Sequence, residues 1–214
     1  MKEKLLRRLR ILKRALTNYE YHKWILHNGD VDLLLNHNLN KESIFFELGG
    51  FDGTYSSQIL EKYSPISYIF EPSKKYYNLL KNNLKGEKIV IINKGLSDFE
   101  GHTYLVNTGD ESFTTSEHHK DSQKIEVIKI SEYISANNIP KIDLLNMNVE
   151  GSEYEILEDL ISSGKINDIY HLQIQFHKNR KHFRKLRKNI QRKLSNTHRQ
   201  VWNYDFIWEK WEKL

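Results

Sequence analysis

Short apolar runs and longer amphipathic stretches alternate along the chain from residue 43 onward. The apolar runs are strand-sized, which predicts buried β-strands at residues 43–48, 66–70, 88–93, 142–149 and 169–176. Between and after them, apolar residues recur at helical spacing, which predicts helices at residues 54–62, 73–84, 152–163 and 180–194. A weaker alternation over residues 200–208 predicts a last edge strand. This order of elements indicates an α/β fold with a mostly parallel sheet.

The N-terminal region and one internal stretch differ from this pattern. Leucines spaced four and three residues apart among Lys and Arg within residues 3–16 predict a basic amphipathic N-terminal helix. We therefore divide the chain into an N-terminal helical segment, residues 1–40, and one α/β domain, residues 41–214. Within that domain, residues 103–106 and 125–130 are strand-like, and the polar stretch 107–123 between them is predicted to be a loop.

The composition excludes several classes of protein. The chain of 214 residues contains no cysteine, which excludes disulfide scaffolds and thiolate metal sites, and we predict no metal. No apolar run reaches the roughly 18 residues of a membrane-spanning helix. Charged residues interrupt the N-terminus too often for a signal peptide. We therefore expect a cytoplasmic protein, with the inner face of a membrane as an alternative location.

The net charge of +5 is unevenly distributed. Residues 1–14 contain seven Lys or Arg and one acid, and residues 169–204 contain ten Lys or Arg and no acid, whereas residues 15–168 are acidic overall. The basic segments predict an anionic partner, either a phosphorylated or lipid-linked glycan or a membrane surface contacted peripherally. A homodimer contact through the N-terminal helix is a further candidate.

Candidate chemical residues follow the predicted strands, because ligands bind beyond the carboxyl ends of parallel strands. A glycine-bearing turn follows the first strand and opens a helix. The acid that precedes this turn suits a cofactor with an amino group better than it suits a pyrophosphate. S-adenosylmethionine (SAM) has such an amino group and no phosphate. The candidate cofactor contacts in this segment are Glu47, Gly49, Gly50, Phe51, Gly53, Tyr55 and Ser56.

The second and third strands end in further candidate cofactor contacts. Glu71 lies 18 residues after Gly53 and is followed by Pro72. An acid about 20 residues beyond a glycine turn accepts hydrogen bonds from ribose hydroxyls in nucleoside cofactors. Ser97 and Asp98 follow the third strand, where Asp98 is placed to accept from an adenine amino group.

Two later strands supply the candidate catalytic residues. The strand at residues 142–149 ends in polar side chains, among which Asn148 and Glu150 are expected to face the crevice. Alternation along residues 169–176 places His177 at the crevice end of its strand, where a neutral imidazole can act as a general base. We name His177 and Glu150 as candidate catalytic residues and Asn148 as a candidate cofactor contact.

Taken together, these motifs resemble the FkbM family of SAM-dependent methyltransferases. The resemblance covers about residues 43–178 and rests on residues 45–53, 70–72, 95–98 and 149–153, which occur in family order. It implies a class I methyltransferase (Rossmann-like) fold, with a seven-stranded, mostly parallel sheet, an antiparallel last strand and helices on both faces. It also implies SAM as the cofactor and methylation of hydroxyls on sugars or secondary metabolites.

The chain departs from the family pattern just before the fourth motif. Where the family commonly has Lys-x-Asp, this chain has Asn146, Met147 and Asn148. Without that Lys and Asp, a mechanism that uses them as base or metal ligand is weakened, which favours His177 or Glu150 as the proton acceptor. The expected function is O-methylation of a sugar hydroxyl in a glycan or glycoconjugate.

Three alternative functions are open at this point, one of which is a non-enzymatic protein whose fold binds SAM only as a scaffold. A nicotinamide-dependent Rossmann oxidoreductase also uses a glycine turn, although the acid at position 47 and the missing third glycine disfavour it. The basic helix at residues 180–194 suits an RNA methyltransferase or a nucleic-acid-binding protein. A solvated helix face explains such a run of charges as well, and we expect no nucleic-acid partner.

Overall fold

Two β-sheets organise the protein in the computed structural model, which describes residues 17–107, 112–115 and 122–214. The strands are β1 (Ile44–Leu48), β2 (Ile66–Phe70), β3 (Ile89–Ile92), β4 (Gly95–Ser97), β5 (Gly101–Asn107), β6 (Ser112–Thr115), β7 (Ser122–Lys129), β8 (Leu144–Met147), β9 (His171–Ile174), β10 (His198–Tyr204) and β11 (Trp208–Lys213). The main sheet has the order β10-β11-β9-β8-β1-β2-β3. Its strands run parallel except β11, which is antiparallel to both neighbours. The predicted seven-stranded, mostly parallel sheet with an antiparallel last strand is confirmed.

Helices cover both faces of the main sheet. They are α1 (Tyr19–Leu26), α2 (Thr54–Tyr63), α3 (Lys74–Asn83), α4 (Ile130–Ala136), α5 (Glu153–Ser162) and α6 (Phe183–Leu194), with a π-helical turn at Gly29–Leu33 and a 3₁₀ turn at Lys165–Asp168. Alternation along β1 places Phe46 in a core shared with Ile134 of α4 and Leu157 of α5. Phe45 points the other way and packs with Ile59 of α2. Because both faces are buried, β1 reads as a continuous apolar run in the sequence.

The second sheet occupies the chain between β3 and β8, with the order β4-β7-β5-β6. The last residue of β5, strand β6 and the start of β7 fall within residues 107–123, so the loop predicted there is wrong for residues 107, 112–115 and 122–123. The prediction relied on apolar runs. A small antiparallel sheet can be held by its ladder hydrogen bonds and one apolar face, so it does not need such runs.

The C-terminal tail is a hairpin rather than the predicted single edge strand. Strand β10 lies at the edge of the sheet, and β11 inserts between β10 and β9. Four of the six residues of β11 are charged, in the adjacent pairs Glu209-Lys210 and Glu212-Lys213, which conceals an internal strand in the sequence. The buried acid on this strand, Glu209, has 1% of its surface exposed and is neutralised by Arg187 of α6. That long-range pairing is invisible to a local pattern.

The N-terminal segment is described from residue 17 onward. The basic helix predicted at residues 3–16 lies outside the described residues. Helix α1 follows Asn18, whose side chain accepts a hydrogen bond from the Tyr21 amide at 3.2 Å, and its Trp24 is buried against Tyr204 of β10. In the part of the chain that the structure describes, the helices are too short or too polar to cross a membrane.

Candidate cofactor site and active site

The glycine turn joins β1 to α2 at the carboxyl edge of the main sheet. The amides of Gly49 and Gly50 donate to the carbonyl oxygen of Phe70 at 2.9 and 3.0 Å, which ties the turn to the end of β2. Gly49 has a φ of 90°, and a Cβ atom there would lie 2.1 Å from the carbonyl oxygen of Asn148. Position 49 therefore admits no side chain, and the turn lies directly against the end of β8.

Replacement of Gly49 with alanine is expected to destabilise the fold by about 2 kcal/mol or more, because the left-handed backbone and the Asn148 carbonyl both oppose a Cβ atom. The distorted turn is expected to weaken SAM binding about tenfold or more. Thermal unfolding and isothermal titration measure the two effects. Gly86→Ala is the matched control, since a Cβ there would meet only the end of the Ile89 side chain, at 3.3 Å. Equal effects of the two variants would contradict this description of the turn.

Glu47 and Ser56, both predicted cofactor contacts, lie together behind the turn. Glu47 has 3% of its surface exposed, and its carboxyl group accepts a short hydrogen bond from the Ser56 hydroxyl. Burial, and then the carboxylates of Glu71 and Asp52, raise the pKa of Glu47 well above its ordinary value. A ligand ammonium group at this position would stabilise the ionised carboxylate. The site can therefore hold an amino group.

Glu71 directly follows β2, and its carboxylate holds the backbone of two segments, the glycine turn and the start of α3. One carboxylate oxygen accepts from the Phe51 amide and the other from the Ser73 amide, each at 2.8 Å. Burial raises the pKa of Glu71, and these two hydrogen bonds oppose the shift. Each oxygen retains a lone pair, so Glu71 can also accept hydrogen bonds from ribose hydroxyls.

Phe51 and Pro72, both predicted cofactor contacts, lie next to Glu71. Phe51 has a φ of 46°, and its half-exposed ring packs on Tyr76 with the ring centres 4.3 Å apart. The carbonyl oxygen of Pro72 accepts from the side-chain amide of Asn93 at 3.1 Å, which fixes the chain after β2. The exposed aromatic pair offers a flat apolar surface that suits the base of a nucleoside.

A buried polar row crosses three strands behind the turn. Glu47, Asn146 and Gln173 are register partners on β1, β8 and β9, so their side chains lie on one face of the sheet. The side-chain oxygen of Gln173 accepts from the Tyr55 hydroxyl at 2.7 Å and from the Asn146 amide at 3.1 Å. Burial raises the pKa of Tyr55 well above its ordinary value, so its hydroxyl is a donor. Tyr55, predicted as a cofactor contact, uses its hydroxyl within this row.

Asn148 follows β8 and lies next to Gly49. Its side-chain oxygen is buried and has no hydrogen-bond partner among the residues that the structure describes. An unpaired buried acceptor costs about 1–3 kcal/mol. A ligand N–H or O–H donor at this point would remove that cost. The space kept open by Gly49, the carboxyl of Glu47 and this acceptor therefore fit a cofactor with the polar groups of SAM.

Glu150 and His177 meet at the same edge of the sheet. Nε2 of His177 lies 3.2 Å from Oε2 of Glu150, and Nδ1 lies 3.4 Å from Oε1 of Glu153. Burial lowers the pKa of His177, but the hydrogen bonds and charges of the two carboxylates outweigh it and raise the pKa to about 9. His177 is therefore an imidazolium at neutral pH and has no lone pair for a proton, unlike the neutral base expected from the sequence.

Sequence reasoning does not select Glu153, because acids are common in the first turn of any helix. In the structure Glu153 is completely buried, and its carboxylate accepts from the amides of Gly151 at 2.8 Å and His177 at 2.5 Å. Glu153 thus joins the turn after β8 to the chain beyond β9. No local signal marks it, because its partner lies 24 residues away in the sequence.

Ser97 and Asp98 lie at the end of β4 in the second sheet. Asp98 is exposed and accepts a hydrogen bond from the Ser97 hydroxyl at 3.3 Å. A Cβ atom at Gly95, where β4 begins, would lie 3.6 Å from the Pro72 side chain, so β4 starts beside the crevice. The contact of Asp98 with an adenine ring stays a prediction.

The basic segment around α6 divides into paired and exposed side chains. Arg187 is buried and pairs with Asp205 and Glu209, and Arg180 pairs with Glu155 at 2.7 Å. The exposed members begin one residue after His177, and we call them the basic face. They are Lys178, Lys181, Arg184, Lys185 and Lys188.

Comparisons with known proteins agree with this architecture. The family model described as the methyltransferase FkbM domain matches residues 43–206. A chain of a fibrillarin/Nop5p complex is similar at 12% identity and a TM-score of 0.50, covering 84% of this chain and 76% of that one. A protein described as an rRNA methylase from Clostridium thermocellum is similar at 8% identity and a TM-score of 0.53, covering 88% and 95%. At these identities the likeness supports the fold alone. No curated protein matches the chain.

Proposed function

Since this chain belongs to the FkbM methyltransferase family and is a SAM-dependent methyltransferase, we propose that it methylates a sugar hydroxyl in a glycan or glycoconjugate. The observation that carries this proposal is the carboxylate of Glu150, paired with His177 where the parallel strands end. A hydroxyl must lose its proton as it is methylated, and a carboxylate at this edge can accept that proton.

The proposed cofactor contacts come from the residues around the glycine turn. Bound SAM supplies an activated methyl group on a positively charged sulfur. We assign Glu47 to the cofactor's amino group, Glu71 to the ribose hydroxyls and the unpaired oxygen of Asn148 to a further donor. Gly49 and Gly50 keep the backbone close to the ligand. Asp98 is assigned to the adenine amino group on its position alone.

We assign proton acceptance to Glu150 and a positioning role to His177. The hydroxyl proton of the acceptor passes to a carboxylate oxygen of Glu150 as the hydroxyl oxygen is methylated. His177 cannot take this proton at neutral pH, because its pKa of about 9 keeps it protonated. Its positive charge and its hydrogen bond instead hold the Glu150 carboxylate in place. Glu153 holds His177 from the other side.

The basic face supports an anionic acceptor. Lys178 directly follows His177, and the exposed lysines and arginine of the basic face continue along the first turns of α6. A phosphorylated or lipid-linked glycan would place its negative charge against these side chains while a sugar hydroxyl lies near Glu150. Long-range attraction of this kind mainly accelerates association, and it weakens as the salt concentration rises.

The cofactor assignment is tested by isothermal titration with SAM. Glu71→Ala is expected to weaken SAM binding about ten- to hundredfold, because hydrogen bonds to a charged group are worth about 1.5–3 kcal/mol. Glu61→Ala changes an exposed acid on α2 and is expected to leave the affinity unchanged. Equal affinity of wild type and Glu71→Ala, or binding of NAD in place of SAM, would contradict the assignment.

The acceptor is tested by transfer of a labelled methyl group from SAM to neutral glycans, phosphorylated glycans and RNA at physiological salt. Transfer to a glycan hydroxyl, with a preference for the phosphorylated set, supports the proposal. Transfer to RNA would overturn it and favour the alternative of an RNA methyltransferase. Substitution of two lysines of the basic face, Lys181→Ala and Lys185→Ala, is expected to reduce the preference for phosphorylated glycans.

A further inference from the structure

A cleft of about 660 Å³ opens at the amino-terminal edge of the main sheet, opposite the glycine turn. This volume lies in the range of small-molecule sites. His171 on its wall begins β9, the strand that leads to His177, so the cleft lies up to about 20 Å from the candidate active site. The charged and titratable residues on the wall are His37, Lys62, Tyr63, His171, Lys210 and Glu212.

The wall carries positive charge that the protein itself does not neutralise. The carboxylate of Glu212 is held by Arg199 at 3.0 Å. Lys62 donates to two carbonyl oxygens, those of the Leu35 backbone and the Asn36 side chain. Within the described ranges of the chain, neither Lys62 nor Lys210 has a carboxylate at ion-pair distance. Two ammonium groups therefore border the cleft without an anionic partner.

The two histidines of the wall each have an unsatisfied nitrogen. Nε2 of His37 donates to the carbonyl oxygen of Leu34 at 2.7 Å, so Nδ1 carries the lone pair of the neutral ring. Nδ1 of His37 and Nδ1 of His171 are both buried and have no partner among the described residues. Their ring centres are 6.5 Å apart. An occupant of the cleft could contact both rings.

Burial and a neighbouring ammonium group lower the pKa of both histidines. Burial, and then the charge of Lys210, lower the pKa of His37 to about 3. The same two causes lower the pKa of His171, and the carboxylates of Glu212 and Asp143 oppose them without cancelling them. Burial also lowers the pKa of Lys210 itself. A dianion in the cleft would reverse these effects, because it would favour the protonated form of every group around it.

We infer that this cleft binds the phosphoryl group of a small organic phosphate, at a site separate from the SAM site. Lys62 and Lys210 supply the countercharge, and the unpaired nitrogens of His37 and His171 become donors when each takes up a proton from solvent, which the charge of the bound anion favours. A carboxylate ligand carries a single charge and two oxygens, so it matches these four groups less well than a phosphate does. The cleft volume leaves room for an organic moiety of the size of a hexose.

The inference is tested on the full chain with saturating SAM, by isothermal titration and by NMR of the histidine rings. Inorganic phosphate and glucose 6-phosphate are expected to bind and to move the signals of His37 and His171, whereas glucose is expected to do neither. Tighter binding of the sugar phosphate identifies an organic phosphate as the ligand. Equal or weaker binding of the sugar phosphate would overturn the organic-phosphate assignment. Sulfate keeps its charge between pH 6 and 8, so tighter sulfate binding at pH 6 would report proton uptake by the histidines.

Lys210→Met is expected to weaken phosphate binding at least about tenfold and to leave SAM affinity unchanged, because methionine retains the packing of the lysine stem. His171→Gln provides a second variant of the same wall. Lys85→Met, at an exposed position after α3 that is assigned to neither site, is the control for nonspecific charge effects. Unmoved histidine signals would overturn the inference. So would an equal loss of phosphate binding in Lys85→Met and Lys210→Met.

Discussion

Replacement of Glu150 with glutamine is expected to lower the rate of methyl transfer about 10²- to 10⁴-fold, the contribution typical of a positioned general acid or base. The amide has nearly the same size as the carboxylate but cannot accept the proton of the acceptor hydroxyl. Affinity for SAM is expected to stay within about twofold of wild type, since Glu150 is not assigned to the cofactor. Transfer of labelled methyl from saturating SAM to the glycan found in the acceptor screen measures the rate.

The protonation of His177 gives a second readout that needs no acceptor. The pKa of this imidazole lies at about 9, above its ordinary value of 6.5, so the ion pair stabilises the fold fully below pH 6.5 and is lost as the pH rises through about 9. Glu150→Gln removes one of the two carboxylates and is expected to lower that pKa. NMR titration of the ring measures the change.

The control for both readouts is His182→Asn, at an exposed position where asparagine tolerates the φ of 60°. This variant is expected to retain the wild-type rate and the wild-type pKa of His177. A Glu150→Gln enzyme with the wild-type rate would contradict proton acceptance by Glu150. An unchanged pKa of His177 in that variant would contradict the ion pair itself.

Replacement of Arg187 with methionine is expected to lower the free energy of unfolding by about 3–5 kcal/mol, which corresponds to a fall of about 10 °C in Tm. Arg187 is 7% exposed and donates to Glu209 and to Asn203, each at 2.7 Å. Its guanidinium also lies 4.7 Å from the centre of the Phe206 ring. The variant leaves the buried carboxylate of Glu209 without its countercharge, so the loss is large.

Two variants separate the ion pair from a general effect of charge. Lys188→Met changes the adjacent, exposed residue and is expected to alter stability by less than about 0.5 kcal/mol. The double variant Arg187→Met with Glu209→Gln removes both charges and is expected to recover part of the loss. If the double variant loses more free energy of unfolding than the two single variants lose together, that result would contradict the pairing. Thermal and denaturant unfolding measure the wild type, the single variants Arg187→Met, Glu209→Gln and Lys188→Met, and the double variant.

The alternating elements of the α/β core were predictable because the central strands β1, β8 and β9 are buried on both faces and are therefore largely apolar. The edge strand β3 is also an apolar run, although its Val90 is 42% exposed. Strand β2 has the predicted bounds, and β1 and α2 differ from prediction by one residue at one end. In the second sheet, β5 and β7 overlap the strands predicted at residues 103–106 and 125–130, whereas β4, β6 and the C-terminal hairpin were not predicted. Strand β11 is internal although four of its six residues are charged, because Arg187 on α6 neutralises its buried acid, Glu209.

The candidate site was predictable as a set of positions, since residues that end parallel strands meet at one edge of the sheet. Glu47, Glu71 and the glycine turn are brought together in this way, and so are Glu150 and His177. Their charge states and exact contacts were not predictable. The carboxylates of Glu150, in the turn after β8, and of Glu153, at the start of α5, make His177 an imidazolium. The Tyr55 hydroxyl is used within the packing of the domain.

The sequence by itself determined the fold class, the family and the edge of the sheet at which the chemistry lies, because these depend on local periodicity and on motif spacing. The tertiary structure alone decided which charges are neutralised. Ten basic residues between positions 169 and 204 read as one positive surface in the sequence. In the structure Arg187 stabilises the core and Arg180 pairs with Glu155, while the basic face remains exposed beside His177. Charge–charge energies depend on distance and burial, which only the folded chain sets.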